Sequence, residues 1–265
     1  MPEVPVYGLD GSEKAKISLP KVFTVRYRPD VIHKVYLAQW THSLQPEGRD
    51  PMAGEKTSAA SWQTGRGVAR VPRVKGERYS RAGQAAGVAS VIKGRLPHPL
   101  KAEKVIYKKV NKKERLLALA SAISATSLKE VVGSRGHRVQ NVPSFPFVVT
   151  SDLEQVTKVK DIVSAFKLWG LDEEIQRIKD GIKKRSGNAR RRGRGKYVPV
   201  GPLIVVSSPK SKLRNVAENI PGLNVVDVSS LSVLDLVPGS HPIRLVIWTE
   251  PAMSRLDEKL KGVVA

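Results

Sequence analysis

The residues with the clearest chemistry lie between Ser61 and Lys101, and that chemistry is anion binding. From Trp62 to Lys101 the chain carries nine cations, Arg66, Arg70, Arg73, Lys75, Arg78, Arg81, Lys93, Arg95 and Lys101, against one acid, Glu77. A guanidinium presents a planar fork of N–H donors that matches a phosphate group in both shape and charge. Glycines and prolines interrupt the stretch, and its apolar residues hold neither the helical nor the strand period. Such a segment buries no continuous face of its own and is expected to be ordered by a polyanion. A second run comprises Lys183, Lys184, Arg185, Arg190, Arg191, Arg192, Arg194 and Lys196, eight cations with no acid among them. With its flank it reads as a second basic loop over 183–199.

Catalytic and metal chemistry find less support. Gly65-Arg66-Gly67 lacks the third glycine of a dinucleotide fingerprint, and Gly193-Arg194-Gly195-Lys196 lacks both the upstream glycine and the following hydroxyl of a phosphate-binding loop. His33, His42, His98, His137 and His241 are scattered without metal-ligand spacing, and the absence of cysteine excludes disulfides and thiolate sites. No Gly-x-Ser-x-Gly elbow is present. Asp152, Asp227 and Glu250 fall near strand ends, where helix caps and turn acids also belong. No catalytic residue, metal or cofactor is therefore expected.

The elements that position these groups follow from the apolar pattern. Residues 1–44 read as one or two edge strands, including an alternating run Val22, Thr24, Arg26. A helix capped by Asp30 follows, with a stripe at Val31, Ile32, Val35, Tyr36 and Ala38. Residues 45–105 are too long for an ordinary connection and form the extended basic loop. From 106 to 265 the body resumes. Asn111 and Glu114 have capping-box spacing before an apolar helix, and Ser151 and Glu154 repeat it after a strand in Phe145–Thr150. A helix from Asp172 to about Lys183 puts Ile175, Ile178 and Ile182 on one face. Apolar strands at Leu203–Val206, Leu223–Val228 and Leu245–Trp248 alternate with helices. This is the pattern of an α/β fold, a mainly parallel sheet with helices on both faces, Rossmann-like in topology but without the nucleotide fingerprint.

Charge divides along the same lines. The chain has 46 Lys+Arg against 24 Asp+Glu, a formal charge of +22. Yet from Leu203 to the end there are seven basic and six acidic residues, and from Ser144 to Ile182 five and seven. The excess thus sits in the two basic segments and their flanks. So large an imbalance points to nucleic acid or an anionic membrane. With no apolar run of membrane-spanning length, no basic-then-apolar amino terminus and no lipidation signal, a soluble, unanchored chain is expected. Aromatics at 5% argue for backbone and shape contacts over base stacking. No helix carries an Arg, Asn and Gln stripe for groove reading, so structured RNA is the favoured polyanion.

Four separated motifs carry a resemblance: SWQTGRGVARVPRV at 61–74, GRLPHPLKAEK at 94–104, NKKERLLALASAISAT at 111–126, and the basic loop followed by LIVVSS. Together they resemble the large-subunit ribosomal protein L-four family in its archaeal form, over nearly the whole chain. The resemblance implies a non-enzymatic structural constituent of the cytoplasmic large ribosomal subunit that binds large-subunit rRNA. It further implies a long internal loop that enters the RNA core and lines the nascent-peptide exit tunnel, beside the L-twenty-two family protein. The loop tip would be Trp62, Gln63, Thr64, Gly65, Arg66 and Gly67, facing the nascent polypeptide, with the remaining cations of both loops on rRNA. The bacterial form's Gly-Ser-rich continuation is replaced here by VARVPRVKG. The alternative is an RNA-modifying or RNA-processing enzyme, with basic loops as clamps and a site at the strand ends, where Asp152, Ser207, Asp227 and Glu250 fall.

Overall fold

The structure is a computed structural model that describes residues 2–240 and 242–260; His241 lies outside it. The chain forms two compact units, one from the residues up to Thr41 together with those from Lys108 onward, the other His42–Tyr107. In chain order, β1 (Glu3–Tyr7) and β2 (Glu13–Ser18) make a hairpin, followed by a 3₁₀ turn at Lys21–Thr24 and α1 (Pro29–Thr41). The second unit contributes β3 (Ala59–Ala60) and β4 (Arg73–Val74). The first unit resumes with α2 (Lys112–Ala125), α3 (Lys129–Ser134), β5 (Phe147–Val149), a 3₁₀ turn at Ser151–Gln155, α4 (Val159–Leu168) and α5 (Asp172–Asp180). Then come β6 (Lys183–Lys184), α6 (Gly187–Arg191), β7 (Lys196–Tyr197), β8 (Leu203–Val206), α7 (Leu213–Ala217), β9 (Asn224–Asp227), α8 (Val233–Leu236), β10 (Val246–Thr249) and α9 (Glu250–Lys259).

The body is built on a six-stranded sheet in the order β2-β1-β5-β10-β8-β9. Every neighbouring pair is parallel except the β1–β2 hairpin. The central strands β5, β10 and β8 are apolar throughout except for Thr249 at the end of β10, because both faces are covered, and alternate residues go to opposite cores. Val148, Leu203, Val205, Val246 and Trp248 join one cluster with residues of α1, α2, α8 and α9. Phe147, Val149, Ile204, Val206 and Ile247 join the other with residues of α4, α5 and α7. Each large side chain so buried contributes about 1.5–3 kcal/mol of transfer free energy. The fold is thus α/β, with a mixed, mostly parallel sheet between helical layers.

Several local expectations are corrected. The run Val22, Thr24, Arg26 is not a strand: Lys21–Thr24 is a 3₁₀ turn closed by the Val25 amide on the Val22 carbonyl, and the backbone that follows is bonded by side chains of α2. Ser124 Oγ donates to the Val25 carbonyl (2.5 Å), and Ser121 Oγ accepts from the Arg28 amide (2.7 Å) while donating to the Arg26 carbonyl (3.1 Å). The first strand is interior, lying between β2 and β5. Asp30 lies in the first turn of α1 and pairs with Arg28 at 2.7 Å instead of capping. Neither capping box forms: Glu114 binds Lys34 across to α1 (2.9 and 3.0 Å), and Glu154 turns to Ser207 and Thr249. Helix α5 stops at Asp180, leaving Ile182 exposed. For Glu114 and Glu154 a partner distant in sequence outcompetes the local one.

Candidate nucleic-acid interface

In the unit His42–Tyr107, the short strands β3 and β4 pair antiparallel, and Arg73 bridges onward to Ala85. This framework closes the chain around 61–70. Trp62 lies between two guanidiniums, those of Arg66 and Arg73, each 5.4 Å from the ring centre. Gly83 packs against the far edge of the indole, where a Cβ would come within 3.0 Å of Cη2. Arg73 also donates through Nη1 to the Gly83 carbonyl (2.9 Å) and through Nη2 to that of Ala69 (3.4 Å). It is half-buried and serves as a strut within the unit.

The other cations of this segment face solvent: Arg66, Arg70, Lys75, Arg78, Arg81, Lys93, Arg95 and Lys101 are all exposed. Arg95 alone among them meets an acid, Glu55, at 3.6 Å. Ser61 through Arg70 are exposed at every position, and Gly65 and Gly67 take φ of +90° and +64° with open space around them. The 61–70 turn is therefore a thin backbone ribbon with few bulky groups.

The second basic segment is a hairpin, more ordered than its composition predicts. Strands β6 and β7 pair antiparallel, with Lys183 opposite Tyr197 and Lys184 opposite Lys196. The single turn α6 closes it through the Arg194 amide to the Ala189 carbonyl (2.9 Å). Gly187 and Gly193, at φ of +61° and +74°, permit the entry and exit of that turn. Arg190, Arg191 and Arg192 follow one another at its end, and Arg185 stacks on Tyr197 at 5.3 Å. All eight cations, from Lys183 to Lys196, are exposed.

The acids at the carboxyl ends of the strands are absorbed by local bonds. Asp227 accepts from the hydroxyls of Ser229 and Ser230 and the Ser230 amide (3.0 Å). Ser207 donates its amide and hydroxyl to Glu154, both at 2.8 Å, and Thr249 donates to the same carboxylate at 2.7 Å. Asp152 is exposed and accepts from Thr150, and Glu250 opens α9. Among the described residues no group of three or more His, Asp or Glu is placed to hold a metal ion.

One ionic cluster escaped sequence reading. Glu174, fully buried, accepts from His137 Nδ1 (2.6 Å), the Arg138 amide (2.9 Å), and Arg177 through Nε (2.9 Å) and Nη2 (2.6 Å). Burial pushes the carboxyl up, but the bonds from Arg177, His137 and Arg138 outweigh it and hold Glu174 below its ordinary range. Burial drives His137 down, against the opposing pull of Glu174, so the ring is neutral. Arg177 lies three residues on along α5, but His137 and Arg138 are 37 and 36 residues away in the chain, and no local spacing announces them.

An α/β fold that displays exposed cations on two segments defines a class of strongly basic α/β proteins. Comparison with known proteins makes the assignment specific. Residues 17–259 match the model of the ribosomal protein L4/L1 family. The chain is 44% identical to the large ribosomal subunit protein uL4 of Methanococcus aeolicus, covering 97% of this chain and 99% of the relative. It is 43% identical to that of Methanococcus vannielii (97% and 99%) and 41% to that of Saccharolobus islandicus (95% and 92%). The chain belongs to the ribosomal protein L4/L1 family, and as such is a structural ribosomal component and not an enzyme.

Proposed function

We propose that this chain is built into the large ribosomal subunit in the cytoplasm and there binds large-subunit rRNA through both basic segments. Residues 45–105 form the loop that enters the RNA core, while 1–44 and 106–265 supply the body. The turn Trp62–Gly67 lines the nascent-peptide exit tunnel beside the L-twenty-two family protein. Arg70, Lys75, Arg78, Arg81, Lys93, Arg95 and Lys101 flank it along RNA, braced from within by Arg73, with the 183–199 hairpin as a second contact. One observation carries the reading: sixteen of the seventeen cations in these segments are exposed, and only Arg95 among them is paired with an acid. Exposed, unneutralised charge of this density attracts polyanions, and phosphate is the counter-charge that guanidinium forks match. The body's polar bonds at the strand ends leave the RNA-enzyme alternative without a site.

The mechanism is charge neutralisation that lets RNA helices pack closely, with a small-residue ribbon forming part of the tunnel wall. With about eight phosphate contacts per segment, log affinity should fall with log salt at a slope near −6 for each. Sucrose-gradient fractionation of lysate tests it, using the full chain and a version lacking 62–81. Co-migration of the full chain with the large subunit through a high-salt wash is expected, with assembly lost on deletion. A full chain that stays at the top of the gradient defeats the proposal.

A further inference from the structure

At the foot of the second basic segment, the body contains an open cleft of about 500 Å³ whose lining includes Arg135, His137, Arg177, Tyr197 and Pro242. Its charges do not balance. Glu174 beneath the cleft is saturated by four hydrogen bonds and cancels one guanidinium, that of Arg177, at 2.6 Å. Arg135, half-buried beside it, has no carboxylate partner among the described residues. Its Nη1 and Nη2 donate to the carbonyls of Pro242 (2.7 Å) and Pro238 (2.6 Å), which satisfies donors without cancelling charge. Arg244, buried further in, likewise meets neutral oxygens: the carbonyls of Gly201, Pro202 and Gly222 and the Asn224 side chain. Three guanidiniums therefore share one hydrogen-bonded carboxylate, Glu174, while Asp235 reaches Arg244 only through its field. Burial, followed by the field of Arg177, holds Arg135 below its ordinary value, a sign of the same excess.

His137 does not add to that charge, because the neutral ring gives its Nδ1 proton to Glu174. Its buried Nε2 then carries a lone pair, and no partner for it exists among the described residues. The remaining wall of the cleft supplies continuity. Tyr197 is the last residue of β7, so the cleft begins where the hairpin with its eight exposed cations ends. A phosphodiester chain tracked by that hairpin reaches the cleft without leaving positive ground.

We propose that this cleft seats one nucleotide of RNA, with its phosphate held between Arg135 and Arg177 and its sugar or base against Tyr197. A cleft of this size suits a nucleotide, and the fork of donors is fixed in advance by the carbonyls and Glu174. His137 and Glu174 act as positioning residues, since they reach the phosphate only through Arg177. The inference rests on the reading of the chain as an RNA-binding protein and adds a site to it.

The test uses the full chain with a transcript of large-subunit rRNA. Ultraviolet crosslinking followed by peptide mass mapping should place a nucleotide on Tyr197 or on residues 134–138. Arg135→Gln, which keeps one amide donor for a proline carbonyl, should flatten the log-affinity against log-salt slope by about 0.7–0.9, the loss of a single phosphate contact. If the wild-type chain shows steep salt dependence but neither a crosslink there nor a changed slope in Arg135→Gln, the cleft is not an RNA site, while the general RNA reading stands. If the wild-type affinity ignores salt altogether, that general reading fails first. The crosslink on the unaltered chain decides the matter should Arg135→Gln not fold. Protection of the cleft by inorganic phosphate or an acidic peptide, at ionic strength matched to the RNA arm and without protection by RNA, would also overturn the proposal.

Discussion

Trp248 and Trp62 are the same side chain in two physical situations. Trp248 is fully buried in the centre of the sheet, its ring edge-on to Phe23 at 6.1 Å, inside one of two contiguous apolar clusters. Trp62 is 39% exposed and held by two guanidiniums and the edge of Gly83. Burial of apolar area supports the first; a cation–π contact at an exposed site is worth only about 0.5–1 kcal/mol. The body thus specifies its own structure, while the segment 42–107 has conformations set by hydrogen bonds and positive-φ residues and little apolar mass to enforce them.

The largest expected effect tests this contrast directly. Trp248→Ala should destabilise the body by about 3–5 kcal/mol, and Trp62→Ala should leave its urea midpoint within about 0.5 kcal/mol. Equal losses would show that the two units are not energetically distinct in the way their packing implies. Binding should show the reverse order. Replacing Arg66, Arg70, Arg78 and Arg81 together by Gln should leave the thermal midpoint unchanged and flatten the salt slope of rRNA affinity by about 3. An unchanged slope would mean that these exposed cations do not meet phosphate.

The contrast also explains what could be read from the sequence. The α/β body was legible because strands such as Leu203–Val206 and Phe147–Val149 are apolar at every position, which fits a sheet covered on both faces. Helix α1 was legible in its stripe at Ile32, Val35 and Ala38. What failed were inferences from local spacing: Glu114 and Glu154 sit where capping-box acids belong, yet each is taken by a residue distant in sequence. The exposed cations were visible as composition, but the hairpin order of 183–197 was not, because its pairing is two residues long on each side. Arg73 looked like its neighbours and differs only in geometry. Of the cluster around Glu174 only the spacing to Arg177 stood in the sequence, since His137 joins it only after α5 has packed.

That cluster makes the body sensitive to acid. The folded His137 holds its proton less tightly than the ordinary value of 6.5, so the unfolded chain gains protons first as pH falls. Stability should therefore decline below about pH 6.5, and decline further below about 4.5, where Glu174, depressed in the fold, is protonated in the unfolded chain. Thermal unfolding of the body at pH 7, 6 and 5 should show a falling midpoint. His137→Asn, whose amide can still donate to Glu174, should flatten the upper part of that fall. A midpoint indifferent to pH between 7 and 5 would remove the neutral, buried histidine from the account.

The smallest effect concerns two glycines of similar backbone conformation. Gly65 has φ of +90° with nothing within 4 Å of a built Cβ, whereas Gly170 has φ of +73° and its Cβ would strike the carbonyl and side chain of Asn141. Alanine at either position meets the strain of the left-handed region, about 1 kcal/mol. At Gly170 a clash with packed backbone adds to that strain, so Gly170→Ala should lower the body's midpoint by several degrees. At Gly65 the strain is confined to a ribbon with no core to disturb. Gly65→Ala should leave the global transition in place and appear only as faster amide exchange across 61–70. A shift of the global midpoint by Gly65→Ala would mean that the ribbon shares a cooperative unit with the packed sheet, the opposite of what the two tryptophans imply.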